Sequence, residues 1–204
     1  MTMYAKVMDL IDVAQGRRNF LRGSMAVAGG LAMVSSVGLG RAFAQELTDL
    51  DILQFAMTLE HLEARMYKDM LAANILTGKE LQYFTLFGEH EAAHVEALMG
   101  TIRSLGTEPV AAQESYSFPA FDSREAILNF AKVAEDIGVG AYQGAAAAID
   151  NKDILAAAGS IVQVEARHAA IVNLLLGLKP VPDAVTASQT VDEVLGKVGP
   201  ILGQ

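Results

Sequence analysis

The chain has 204 residues, a formal net charge of −9 and no cysteine. Disulfides, thiolate metal sites and iron–sulfur clusters are therefore excluded, and any metal must be held by histidine, carboxylate or water. The acidic balance argues against nucleic acid or an anionic membrane as a partner, because both attract basic surfaces.

Residues 17 to 22 read Arg-Arg-Asn-Phe-Leu-Arg, followed by a weakly apolar run from about Ser24 to Gly40 and then Ala42-Phe43-Ala44. This is similar to a twin-arginine signal peptide with an A-x-A cleavage site after Ala44, which implies export to a periplasm or beyond. A membrane anchor needs about twenty strongly apolar residues. This run is shorter and diluted by four glycines and three serines, so cleavage with no stable membrane anchor is expected. Residues 1–44 are thus read as a leader, 45–179 as one folded domain and 180–204 as a tail. The leader takes five of the fifteen basic residues and two of the twenty-four acids, so the remainder carries −12.

Four long helices follow. Apolar residues spaced around Glu60, among them Leu53, Ala56, Met57, Ala64 and Met70, predict the first helix from about Thr48 to Ala73. Thr77-Gly-Lys-Glu80 has the form of a capping box opening the second, which carries Phe84, Phe87, Glu91, His94, Val95 and Leu98 on one stripe and stops at Gly106. A long irregular connection runs to Phe121. Asp122-Ser-Arg-Glu125 is a second capping signature, opening a third helix to about Ile149, and Asp150-Asn-Lys turns into a fourth that ends at Gly177. The tail is expected to hold one short helix, Val191 to about Val198, packed on the bundle or on a partner. Short, long, short is the loop order of a four-helix bundle with one crossover, in which helices two and three run parallel.

The chemistry sits at matched points of the two hairpins. Glu91-Ala-Ala-His94 and Glu165-Ala-Arg-His168 are Glu-x-x-His quartets, and each is preceded about thirty residues earlier by a lone glutamate, Glu60 or Glu135. A glutamate and a histidine three positions apart project from one helix face toward a common point. Tyr67 and Tyr142 each stand seven residues, two turns, after their glutamate. A single such quartet is common on exposed helices and means little. Two of them at matched spacing, with both lone glutamates set in apolar stripes, predict a buried site for two metal ions, since carboxylates buried there without a cation are costly.

Other polar residues receive plainer readings. Glu63, one turn after Glu60, borders the stripe as a ligand, a neighbour of the ligands or a solvated charge. His61 and His90 point about 100° away from their neighbouring ligands and are assigned to the surface or to the surroundings of the site. Asp136 is expected to face solvent, and Met57, Met66, Met70 and Met99 to fill core.

Glu60, Glu91-x-x-His94, Glu135 and Glu165-x-x-His168, with the two tyrosines, resemble the ferritin-like superfamily of di-metal carboxylate proteins over about residues 47 to 177. The leader, the opening Leu50-Asp-Ile-Leu-Gln-Phe-Ala-Met-Thr-Leu-Glu-His-Leu-Glu and the irregular tail are similar to exported bacterial ferritin-like proteins, some of them of the desiccation-related type. The resemblance implies an all-α bundle in which Glu91 and Glu165 bridge two metals and Glu60 and Glu135 are terminal ligands. His94 and His168 then complete one metal each, and Tyr67, Tyr142 and Gln163 are candidates to hold the imidazoles. Two iron ions are the expected cofactor, with two manganese ions as the alternative. The expected chemistry is reaction with dioxygen or peroxide, of the ferroxidase or oxidative-stress kind. Manganese catalase-like disproportionation, iron storage in a cage and a non-catalytic envelope role stand as alternatives. A homodimer is allowed for, through an exposed face of helix three carrying Gly138, Gly140, Gly144 and the Ala145 to Ala148 run.

Overall fold

The computed structural model describes residues 47–203; the expected leader and cleavage site lie outside them. Among the described residues there are five helices and no strand. They are α1 (Asp49–Ala72), α2 (Gly78–Ser104), α3 (Arg124–Ala146), α4 (Lys152–Leu175) and the short α5 (Val191–Val198). None is long and apolar enough to cross a membrane.

Helix ends follow local chemistry. Thr48 caps α1 in a box with Asp51, Asn151 caps α4 by accepting from Asp153 and Ile154, and Thr190 caps α5 in a box with Glu193. The box expected at Thr77 does not form: Thr77 makes no side-chain cap, and Glu80 instead pairs with Arg124 at 2.5 Å. At the head of α3 the cap is Ser123 rather than Asp122. Gly106 and Gly177 end α2 and α4 with φ of +78° and +74°, a left-handed geometry that glycine adopts at little cost.

Hydrogen bonds across the ends establish the topology. Arg124, at the start of α3, reaches Glu80 at the start of α2 and the carbonyl of Leu175 at the end of α4. Asp49, at the start of α1, accepts from the amides of Asp150 and Asn151 in the α3–α4 turn. Helices α2 and α3 therefore run parallel, and each hairpin, α1–α2 and α3–α4, is antiparallel inside. The crossover is pinned along its path, with Gln54 bonded to Glu108 and Val110 and the Ser117 amide donating to Ile201.

The interior is split in two. One apolar cluster gathers Leu53, Leu59, Ile102 and Ile161 with α5, and the other gathers Met66, Phe84, Phe87, Leu128 and Val172. Between them lies a buried polar layer.

The chain's own tail packs on the glycine-bearing face of α3. Gln189 donates from its amide to Gly140 O at 2.9 Å and from its side chain to Asp136 O at 3.0 Å, and its Oε1 accepts from Lys197 at 2.6 Å. A Cβ on Gly144 would stand 1.9 Å from Gln189 O. Gly140 and Gly144 thus serve the chain's own tail, while Gly138 faces inward. We expect Gly144→Ala to lower stability by about 1–3 kcal/mol, the usual cost of overpacking. Hydrogen exchange should then quicken across residues 186 to 203; unchanged exchange there would contradict this account of the tail.

Candidate metal centre

The polar layer is built from one turn of each long helix. Glu60, Glu91, Glu135 and Glu165 are all 0% exposed, His168 is 1% exposed and His94 is 8% exposed. Their donor atoms form two groups, each within 4.8 Å: Glu60, Glu91, His94 and Glu165 in one, and Glu91, Glu135, Glu165 and His168 in the other. Glu91 and Glu165 belong to both, which is the placement expected of shared carboxylates.

His94 Nδ1 lies 3.0 Å from Glu165 Oε1, 3.1 Å from Glu91 Oε2 and 3.2 Å from Glu60 Oε2. One imidazole nitrogen carries at most one proton, so it cannot hydrogen-bond three carboxylates at once. His168 Nδ1 sits 3.0 Å from Glu91 Oε1 and 3.4 Å from Glu135 Oε2 without hydrogen-bond geometry to either. Glu91 Oε1, Glu135 Oε2 and both oxygens of Glu165 are likewise buried without a hydrogen bond. Donors placed about 2.1 Å from a common ion and at right angles stand about 3.0 Å apart. The donor set and its spacing therefore fit two divalent ions, and so many unsatisfied buried oxygens are hard to account for otherwise.

The electrostatics are those of crowded carboxylates around two imidazoles. Burial pushes Glu60 up to about 8 against the lowering effect of His94, and pushes Glu165 up to about 8 in the same way. Burial also raises Glu135, and raises Glu63 well above the ordinary range. For His94, burial alone would lower the pKa, but Glu165, Glu60 and Glu91 overcome it and push it to about 12. His168 is pushed to about 10 by Glu135 and Glu91, again against burial. Glu91 goes the other way: His168 and His94 outweigh burial and bring it down to about 2.

Around this core the structure redistributes the supporting roles. Tyr67 of α1 donates to Glu135 Oε1 on α3, and Tyr142 of α3 donates to Glu60 Oε1 on α1. Each tyrosine thus crosses to the other hairpin and orients a glutamate of the cluster rather than an imidazole. Gln163 is exposed on α4 with its amide on Gly159 O at 3.4 Å, away from the site. The imidazole partner is His90, whose Nδ1 lies 2.9 Å from His168 Nε2 with the rings stacked 5.2 Å apart. A bond of that kind fixes the tautomer that presents Nδ1 to the site. No spacing rule singled it out, because His90 reaches the quartet of the opposite hairpin. Among the described residues His94 has no such partner, for Val164 occupies the position matching His90. His61 contacts Val110 O in the crossover, and Asp136 pairs with Lys132 at the surface. We expect Tyr67→Phe and Tyr142→Phe each to weaken metal binding about 10- to 100-fold, as loss of such outer partners does; titration against a competing chelator would show it.

Fold, topology and donor set define a ferritin-like helical bundle whose buried Glu/His cluster is compatible with a di-metal carboxylate site. The profile of the ferritin-like domain family matches residues 48–178, and the chain belongs to that family. Among solved structures, the bundle is similar to that of a conserved hypothetical protein from Mycobacterium tuberculosis, with a TM-score of 0.59 and 18% identity, covering 67% of this chain and 96% of that one. At that identity the likeness speaks for the fold alone. No curated protein matches the chain.

Proposed function

We propose that this protein is an exported di-metal oxidoreductase that consumes peroxide or dioxygen at two iron ions held by Glu60, Glu91, His94, Glu135, Glu165 and His168. The observation that supports it most is the sharing of Glu91 and Glu165 between two four-donor groups, the arrangement that holds a metal pair. Two ferrous ions held by these residues would supply one electron each, enough with two protons to reduce one hydrogen peroxide to two waters. The chain's own part is to position and to exclude. Tyr67 and Tyr142 hold the terminal carboxylates, His90 holds the His168 ring, and Phe84, Phe87 and Tyr67 pack one side of the layer away from solvent. Export rests on the Arg17-Arg18 leader and places this chemistry outside the cytoplasm, where a stress or ferroxidase role fits.

The test is anaerobic loading of the mature protein with ferrous ion, followed by addition of peroxide. Uptake of about two ions per chain, and oxidation that consumes one peroxide per two ions, is the expected result. No uptake, or oxidation no faster than that of free ferrous ion, would remove the proposal. If metal analysis of the native protein returns manganese and peroxide yields dioxygen, disproportionation replaces it.

A further inference from the structure

Beside the metal layer, under α5, lies a cavity of about 100 Å³, several times the space one water needs. Its walls are largely apolar, with Leu59 and Leu62 from α1, Ile137 from α3 and Ile201 beyond α5. Val133, 52% exposed, stands at its mouth with Lys197 of α5. Glu63 is the carboxylate in that wall. It is only 4% exposed, yet it forms no hydrogen bond or ion pair among the described residues.

Glu63 also looks toward the metal layer. A Cβ on Gly138 would stand 3.2 Å from Glu63 Oε1 and 3.3 Å from Glu165 Oε2, so those two oxygens are no more than 6.5 Å apart, the sum of the two distances. The helical repeat explains the notch. Glu63 comes three residues after Glu60, and Gly138 three after Glu135, so the side chain missing from one hairpin leaves room for the carboxylate of the other.

Resting on the reading of the site as an oxidant-consuming metal pair, we propose that this cavity is where the oxidant binds, and that Glu63 makes it selective for hydrogen peroxide over dioxygen. The walls admit a small uncharged molecule. A carboxyl oxygen with no protein partner in an apolar cavity wall favours a guest that can donate hydrogen bonds; hydrogen peroxide has two O–H donors and dioxygen none. Two ferrous ions held by the six ligands would supply the two electrons that, with two protons, convert one peroxide to two waters; the part of Glu63 is to hold the peroxide beside that layer.

Glu63→Leu keeps the bulk and removes the acceptor. In the ferrous-loaded protein it should slow reaction with hydrogen peroxide roughly 3- to 10-fold, the range of one uncharged hydrogen bond. Metal content should stay at the wild-type value, and binding of nitric oxide, read spectroscopically and needing no hydrogen bond, should change by less than about twofold. Val133→Trp, a plug at the mouth, should slow peroxide and nitric oxide alike, and its exposed position guards against misfolding. An unchanged peroxide rate in Glu63→Leu, an equal fall in all rates there, or no effect of Val133→Trp on either ligand would overturn the proposal while leaving the metal site standing. A wild-type chain that takes up no metal would instead overturn the parent reading and this one with it.

Discussion

Replacing Glu91 and Glu165 together with alanine is expected to reduce bound metal from about two ions per chain to nearly none. These carboxylates are shared by both donor groups, so the change takes two of four protein donors from each ion. Glu60→Ala or Glu135→Ala removes one donor from one group only, and each should retain about one tightly held ion through dialysis against a chelator. The contrast between shared and unshared positions is the informative part, since general damage to the bundle would lower all of them together. Circular dichroism of the double variant should remain helical, because losing two buried carboxylates relieves like-charge crowding more than it removes packing. Element-resolved metal analysis of the four proteins decides the matter. A double variant that still carries about two ions would place the donors elsewhere.

Much of this was legible in the sequence because ligands and helices share one periodicity. A bundle of one crossover needs only four apolar stripes and the loop order, and both were present; every long helix begins and ends within a few residues of its expected limits. The six clustered glutamate and histidine positions were legible for the same reason, as a matched repeat on inward-facing stripes. What was hidden depends on contacts between helices, which periodicity within one helix does not encode. Tyr67 and Tyr142 share a stripe with Glu60 and Glu135, yet each bonds the glutamate of the other hairpin. His90 points away from its own quartet and so meets His168 of the other. Gln163 was misplaced by the converse error: it lies two residues before Glu165 and therefore turns outward. The glycines of α3 could be seen as sites of close approach, but whether the approaching group was a second subunit or the chain's own Gln189 was settled only by where the tail runs.

Without metal the protein should be most stable near pH 4.5 and become steadily less stable toward pH 8, the reverse of the usual behaviour of buried salt-bridged acids. Glu60 and Glu165 are raised from 4.5 to about 8, so between those values the native state holds protons that the unfolded chain has released. Stability then falls as pH rises, by about 1.4 kcal/mol per pH unit for each excess proton. His94 and His168, raised to about 12 and about 10, add stability that is complete below 6.5 and is lost as pH climbs through their folded values. Glu91, lowered to about 2, contributes stability that is present above 4.5 and lost on acidification, which sets the acid side of the maximum. Two divalent ions reverse the slope, because they require carboxylates and imidazoles that have released their protons, and their affinity rises with pH as a result. At free metal about a thousandfold above the dissociation constant, binding adds about 4 kcal/mol per site, roughly 8–16 °C in melting temperature for a domain of this size. Melting curves with and without metal should therefore nearly coincide around pH 5 and diverge widely at pH 8. A metal-free protein whose melting temperature rises from pH 5 to pH 8 would mean that the glutamates are not crowded in the way the layer requires, and the case for a metal pair would weaken with it.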